Sequence, residues 1–525
     1  MRVLIAEPLA ESGIAPLRAA GFDVDARSGL TPEELLDAVV GAHALVIRSA
    51  TQVTDAVFEA AKDLVVVGRA GIGLDNVDVK SATEHGVMVV NAPQSNVVSA
   101  AEQTMALLLA VARNTPQAHT DLTAGKWNRA KWEGVELQNK VLGIVGLGRV
   151  GVLVAQRCLA FGMRLLAYDP FVAPERARQL GVRLVPTVEE LIPQCDFLTI
   201  HLPKNPETIG LINADRLKLA QPHLRLVNTA RGGIVDEAAL ADAVREGVIA
   251  GAALDVFEKE PTTESPLFSL PSVVVTPHLG ASTVEAQDRA GETIADQVIL
   301  ALRGDFVPFA VNLAASEASS TVRPFLPLAE QLGKVLAGLA GSEVDNLDVH
   351  YGGTIGGYDC GVLTLSVLKG LLDGRVEESV SYVNAPAIAE RLGVSVNASS
   401  STTADFTSLV TLRTTLNGVT SEVSGTLVGE KELPRIVGIN GHLVDVAPHL
   451  HLLAVGNDDR PGMIGLVGTL LGEAGVNISD MTVGRDPNAT TALMIVSTDA
   501  QISAEVASAL RERAGILWVQ PIDLD

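Results

Sequence analysis

A chain of 525 residues that is 47% hydrophobic and 3% aromatic has room for three or four α/β domains of ordinary size. Its formal charge of −23 argues against nucleic acid as a partner and is read as a solubility device. Cys158, Cys195 and Cys360 are too scattered for a metal site or a disulfide framework, and no apolar run approaches a membrane span, so a cytoplasmic protein with reduced thiols is expected.

Residues 1–95 read as a small α/β domain. Apolar strands are predicted at 3–6, 45–47, 64–67 and 87–90, alternating with helical segments such as 32–40. Two strand ends carry arginine, Arg48 in IRSAT and Arg69 in GRAGIGLDNVD. Open α/β sheets gather ligands at the carboxyl ends of their strands, so both arginines are candidates for a cleft. Gly71 and Gly73 suggest that backbone approaches a ligand there. Residues 99–124 read as one buried connecting helix, apolar nearly all round. The loop GKWNRAKWEG follows, with Trp127 and Trp132 among Lys126, Arg129 and Lys131, a composition suited to an interface anchor.

The stretch 141–170 organises the rest. An apolar strand runs into Gly146, Gly148 and Gly151 at G-x-G-x-x-G spacing, then a helix with Val150, Val154 and Leu159 on one side. A second strand ends at Asp169, 18 residues past the third glycine. Strand, glycine turn, helix, strand and acid together predict a dinucleotide site: backbone close to the pyrophosphate, helix N-terminus toward the phosphates, Asp169 on a ribose diol. A carboxylate there repels a 2′-phosphate, so NAD is favoured over NADP.

Strand–helix alternation continues to about 282, with strands at 196–201, 224–228, 250–254 and 273–276 delivering polar residues at their carboxyl ends. A helix at 283–303 is expected to cross back to the first domain. The Ala/Ser-rich stretch 314–322 reads as a linker. Residues 323–450 hold strands and helices with a Ser/Thr patch at 399–403, and His449 and His451 alternate on a presumed strand with no third metal ligand. Residues 452–525 follow a βαββαβ pattern suited to binding or regulation.

Arg231, Glu260 and His278 at these strand ends form a plausible reacting set. A histidine accepts the hydroxyl proton released on hydride transfer, a carboxylate steadies its imidazolium, and a guanidinium fork grips a substrate carboxylate. The runs GLGRVG, NTARGGIVDEAAL, GAALDVFEKEP and TPHLGAST resemble the D-isomer-specific 2-hydroxyacid dehydrogenase family. IRSAT, GRAGIGLDNVD and GKWNRAKW resemble its long branch, which oxidises 3-phosphoglycerate at the start of serine biosynthesis.

The resemblance implies a Rossmann-type NAD-binding domain (98–282) inserted in a flavodoxin-like substrate domain (1–97 and 283–313). An α+β intervening domain (314–450) and an ACT regulatory domain (451–525) would follow. It implies Arg231, Glu260 and His278 as the catalytic set. Gly146, Gly148, Arg149, Val150, Gly151 and Asp169 would hold the cofactor's pyrophosphate and adenosine ribose. Thr229, Ala230, Arg231, Asp255, His278, Leu279, Gly280 and Ala281 would surround its nicotinamide end. Arg48, Arg69, Gly71 and Asn96 would line the substrate cleft, and Arg129 or Lys131 is a candidate for the phosphate, from this subunit or a neighbouring one. An L-serine site would involve Asn457, Asp459 and Asn477, with Arg460, Pro461 and Gly462 in the same loop; Arg435 and His442 are the nearest cationic candidates for an effector in the intervening domain. A homotetramer without metal, membrane or nucleic-acid partners is expected. The alternatives are a reductase of glyoxylate, hydroxypyruvate or another short 2-keto acid on the same scaffold, and an NAD(H)-sensing binding protein.

Overall fold

The computed structural model describes residues 1–313, 319–341, 344–376, 380–416, 418–485 and 491–524. Its first sheet has five parallel strands in the spatial order Asp23–Ala26, Arg2–Ile5, Ala44–Ile47, Val66–Arg69 and Met88–Asn91. This is the 2-1-3-4-5 order of a flavodoxin-like sheet. Val3, Leu4, Leu45 and Val67 are fully buried, because helices on both faces leave no polar side for a strand to show. The edge strand Asp23–Ala26 escapes sequence reading: DVDA has exposed ends, a half-buried middle and no apolar run. Helix Pro32–Val39 begins where expected, with Thr31 and Glu34 forming a reciprocal capping box.

Helix Val284–Leu302 returns to this sheet, where Ile294 and Val298 pack with Val3, Ile5 and Val46. It touches helix Glu11–Ala19 backbone to backbone: a Cβ on Gly13 would lie 2.8 Å from the Gly291 Cα.

The second sheet has seven parallel strands in the order Val273–Val275, Gly251–Leu254, Arg225–Asn228, Phe197–Ile200, Val141–Val145, Arg164–Tyr168 and Val182–Leu184. Strand order reverses beside Val141–Val145, and the crevice at that switch point is where such sheets bind dinucleotides. The single helix expected over 99–124 is two, Val97–Arg113 and Thr115–Thr123. Asn114 turns left-handed at φ 52° and Pro116 cannot continue the hydrogen-bond ladder. The first helix buries Ala101, Leu107, Leu108 and Val111, whereas the second buries no residue, so the expectation of a buried helix fails for its latter half.

A six-stranded mixed sheet follows, in the order Ser395–Ser401, Asn346–Gly353, Ser408–Leu416, Val419–Val428, Leu433–Ile439 and His442–Val446, with helices Leu326–Ala340 and Gly361–Leu372 packed in its core. Of the linker expected at 314–322, residues 314–318 lie outside the described residues; Val322 is fully buried in this core, so the stretch does not run free to its end. The serine patch turns its hydroxyls to one imidazole: Ser399 Oγ lies 3.0 Å from His350 Nδ1 and Ser401 Oγ 3.1 Å from Nε2.

The last sheet is antiparallel, in the order Ile478–Arg485, Ala492–Thr498, His451–Asn457 and Ile516–Asp523, which is the βαββαβ arrangement. Its helices Met463–Glu473 and Ala504–Arg511 cover the face carrying Leu453, Val455 and Met494. The opposite face, with Leu452, Ala454, Leu493 and Ile522, packs into the same core as helix Leu326–Ala340. There a Cβ on Gly338 would stand 2.9 Å from Ile522. The two C-terminal units therefore share one apolar core. His449 does not alternate with His451 on a strand. It precedes the strand, in a turn where its N–H donates to the Ala447 carbonyl, while His451 Nδ1 lies 3.3 Å from Asp523. Among the described residues no helix is long and apolar enough to cross a membrane.

Candidate active site

The glycine turn is shaped for a bound pyrophosphate. Gly146 sits at φ 96°, and a Cβ on it would fall 2.5 Å from the His201 carbonyl oxygen. A Cβ on Gly151 would fall 2.2 Å from the Gly146 carbonyl oxygen, so strand and helix pack at a separation only hydrogen permits. Gly148 faces open space and precedes helix Arg149–Ala160 without a side-chain cap, leaving the first N–H groups free for an anion. Asp169 holds the turn: its Oδ2 accepts the Leu147 N–H at 2.8 Å and its Oδ1 the Phe171 N–H at 2.9 Å. A hollow beside it is lined by Tyr168, Pro170, Leu184, Val185 and Pro186, apolar walls suited to a flat aromatic base. Open cradle, free helix end and acid all fit a dinucleotide.

A cavity of about 620 Å³ opens between the two parallel sheets, lined among others by Arg48, Arg69, Gly71, Asn96, Glu260 and His278. His278 Nδ1 lies 2.6 Å from Glu260 Oε2, and Glu260 Oε1 accepts the Phe257 N–H at 2.8 Å, so both carboxylate oxygens are directed. Burial pushes the Glu260 carboxyl up, but the bonds from His278 and Phe257 and the nearby Arg231 charge outweigh it and hold the group below the usual carboxylate range. An ionised Glu260 keeps the proton on Nδ1 and leaves the Nε2 lone pair for substrate. His278 sits at φ 53° because its turn is pinned. Asp255, wholly buried, accepts the N–H of Leu279 at 2.7 Å and of Gly280 at 2.8 Å, and the Thr276 hydroxyl at 2.5 Å.

Arg231 is delivered by a tight turn in which Asn228 accepts the Ala230 N–H and donates to the Arg231 carbonyl, each at 3.1 Å. Gly232 is obligatory, since a Cβ there would fall 1.7 Å from the Phe257 carbonyl oxygen; the Arg231 turn and the loop leading to Glu260 thus abut. The guanidinium reaches across to the first sheet, with Nε 3.9 Å from Asp75 Oδ2. Arg69 is pulled below its ordinary range by burial and then by the charge of Arg231, and its buried Nε has no hydrogen-bond partner among the described residues. Gly71, which lines the cavity, also makes room for a protein neighbour. A Cβ on it would sit 1.5 Å from Arg69 Nη1, so the glycine makes room for that guanidinium.

Arg129 and Lys131 are not brought to this cavity. They lie on the exposed turn Arg129–Trp132, where Lys131 stands 4.3 Å from the Trp132 ring centroid and 3.9 Å from Asp121, and Trp127 is 80% exposed. In the C-terminal unit Asn457 points inward: its Nδ2 donates to the Ala492 carbonyl and its Oδ1 accepts the Asp459 N–H, each at 3.0 Å. Asp459 Oδ2 lies 3.2 Å from Arg485 Nε, and the Asn477 N–H donates to Asp499 at 3.1 Å. Arg435 is held by Asp445 at 2.6 Å, while His442 Nε2 is buried without a partner among the described residues. Sequence reading missed the groups that hold the site: Gln103 donates to Thr276 at 3.0 Å, and Thr104 meets the Thr229 hydroxyl at 2.7 Å. Both lie on helix Val97–Arg113, where apolar periodicity hides them. Among the described residues no cluster of metal-ligating side chains occurs.

Three family models match the chain. They are the NAD-binding domain of D-isomer specific 2-hydroxyacid dehydrogenases over residues 105–280, the D-3-phosphoglycerate dehydrogenase intervening domain over 321–440 and the ACT domain over 451–515. The D-3-phosphoglycerate dehydrogenase of Mycobacterium leprae is 46% identical over 512 residues, covering 97% of this chain and 96% of that protein. The enzyme of the same name from Methanocaldococcus jannaschii is 39% identical with both chains covered in full. Among solved structures, a Thermus thermophilus protein (36% identity, TM-score 0.55) matches 59% of this chain and 100% of its own. The chain belongs to the D-3-phosphoglycerate dehydrogenases of the D-isomer-specific 2-hydroxyacid dehydrogenase family.

Proposed function

We propose that this protein oxidises the C2 hydroxyl of 3-phospho-D-glycerate to 3-phosphohydroxypyruvate with NAD, the first step of L-serine biosynthesis. One observation carries the reading: three guanidiniums, Arg48, Arg69 and Arg231, gather around a cleft that also holds the His278–Glu260 pair, in a chain of net charge −23. A substrate with a carboxylate at one end and a phosphate at the other calls for that concentration of cations. When bound, NAD supplies the acceptor for the hydride that leaves C2. Gly146, Gly148 and Gly151 with the N–H groups of Arg149 and Val150 hold its pyrophosphate, and Asp169 its ribose. Thr229, Ala230, Asp255, Leu279, Gly280 and Ala281 frame its nicotinamide end. Arg231 grips the substrate carboxylate; His278 Nε2 takes the hydroxyl proton while Glu260 stabilises the imidazolium. Arg48 and Arg69, with Gly71 and Asn96, face the phosphate end, joined by Arg129 or Lys131 of a neighbouring subunit. L-serine acts as feedback effector at the loop containing Asn457 and Asp459, together with Asn477, in a cytoplasmic homotetramer. The chain divides into a substrate domain (1–97 and 283–313), a cofactor domain (98–282), an intervening domain (314–450) and a regulatory domain (451–525).

Initial rates of NAD reduction test the substrate. We expect kcat/KM for 3-phosphoglycerate to exceed that for D-glycerate by at least about a hundredfold, since a lost phosphate leaves two guanidiniums unpaired. Equal rates would point instead to a general short 2-hydroxy-acid dehydrogenase. The same assay with L-serine reads out regulation.

Glu260→Gln should lower kcat/KM for oxidation by about tenfold or more, because the imidazolium formed as His278 takes the hydroxyl proton loses the carboxylate 2.6 Å from its Nδ1. A variant that keeps the native rate would remove Glu260 from the proton transfer.

A further inference from the structure

A carboxylate beside the wall of an anion-binding cleft works against the ligand unless it does something else. Glu7, just beyond strand Arg2–Ile5, is such a group. It is half-buried next to Pro8, Leu9 and Ala10, which line the same cavity as Arg48. Its Oε1 accepts three backbone N–H groups, from Arg48 at 2.9 Å, Ala50 at 3.1 Å and Thr51 at 2.9 Å, and Oε2 lies 3.2 Å from the Ala50 nitrogen. The buried Asn76 grips the same turn from its carbonyl side, donating to Arg48 O at 2.9 Å and Thr51 O at 2.6 Å. Between them these two side chains hold N–H and C=O groups of a turn that, among the described residues, lies outside the strand ladder ending at Ile47.

We propose that Glu7 is a positioning residue for substrate recognition: it clamps the 48–51 turn so that the Arg48 guanidinium is presented to the phosphate end of the cleft. The inference rests on the reading of Arg48 as a substrate contact. Ordering the turn beforehand removes a cost that substrate binding would otherwise bear, so the clamp acts on affinity and leaves the chemical step alone. Burial pushes the Glu7 carboxyl up, and the bonds from Thr51, Arg48 and Ala50 outweigh it, so the group is held below its ordinary range and is ionised at neutral pH.

Charge and clamp predict opposite signs. Were Glu7 only a nearby negative charge, its removal would lower KM for an anionic substrate. As a clamp, its removal raises KM. Three substitutions separate these. Glu7→Ala and Glu7→Asp both withdraw the Oε1 acceptor, the second keeping the charge, and each should raise KM for 3-phosphoglycerate about tenfold, equivalent to about 1.4 kcal/mol. Their kcat and KM for NAD should stay within about twofold of the native enzyme. Glu7→Gln keeps an oxygen at the Oε1 position without the charge and should restore most of the affinity. If Glu7→Ala does not fold, the Gln and Asp variants carry the comparison.

A KM that falls or stays level in the Asp and Ala variants, or a loss confined to kcat, would overturn the clamp. So would a Gln variant as impaired as the Asp one. Arg48→Ala provides the separate check: in its background Glu7→Ala should add no further rise in KM. If Arg48→Ala alone leaves KM unchanged, the substrate role of Arg48 fails, whatever the Glu7 variants do.

Discussion

Replacing His278 with glutamine is expected to lower kcat for phosphoglycerate oxidation by about a thousandfold, within the range that a positioned general base contributes. Glutamine preserves a polar group of similar reach but has no lone-pair nitrogen that can accept and hold a proton. The loss should fall on kcat. On the proposed roles, substrate affinity would rest on the arginines, and cofactor affinity on the glycine turn at the switch point. Binding of NADH, followed by its fluorescence, should therefore be unchanged. Since Asp255 anchors the neighbouring turn through the N–H groups of Leu279 and Gly280, the exchange at 278 leaves those bonds in place and the variant should fold normally. A variant retaining more than about a tenth of native kcat would show that the proton goes elsewhere.

Arg231→Lys should cost nearly as much, about a hundredfold to a thousandfold in kcat/KM, although it preserves the charge. Lysine offers a point charge where the reacting acid needs a planar, two-pronged donor able to hold its carboxylate and polarise the neighbouring oxygen. Stability should change little. Among the described residues Arg231 makes a long ion pair, 3.9 Å to Asp75, and a 2.8 Å bond to the Ala230 carbonyl, and its repulsion of the buried Arg69 is set against its attraction to Glu260. Arg231→Ala should accordingly leave the melting temperature nearly unchanged while abolishing most activity. A marked fall in melting temperature with modest kinetic loss would mark Arg231 as structural.

Much of this was legible in the chain. The G-x-G-x-x-G turn, its flanking strands and Asp169 are local: each residue acts on neighbours within one strand–helix–strand unit, so spacing alone reports it. The βαββαβ order of the last sheet was readable for the same reason, because alternation and helical period are written residue by residue.

Other features depend on which surfaces meet, and no periodicity records that. That Gly71 also makes room for the Arg69 guanidinium is written nowhere in its neighbours. Glu7 is unremarkable in sequence until the 48–51 turn folds over it from about forty residues away, as the separations of 41, 43 and 44 in its hydrogen bonds show. The helix broken at Asn114 and the short strands Asp23–Ala26 and Val182–Leu184 were hidden by ambiguous local signals that tertiary packing resolved.

By itself, then, the sequence determined the dinucleotide unit, the order of the strongly patterned strands and helices, and the residue types at the strand ends, all consequences of short-range sterics and hydrophobic period. Only the tertiary structure decided that Arg69, His278 and Glu260 line one cleft between two sheets with the Arg231 charge close to both Arg69 and Glu260, and that the last sheet buries its second face on helix Leu326–Ala340. Charge pairing and apolar burial act through space, and the distances that set them exist only once the chain has closed on itself.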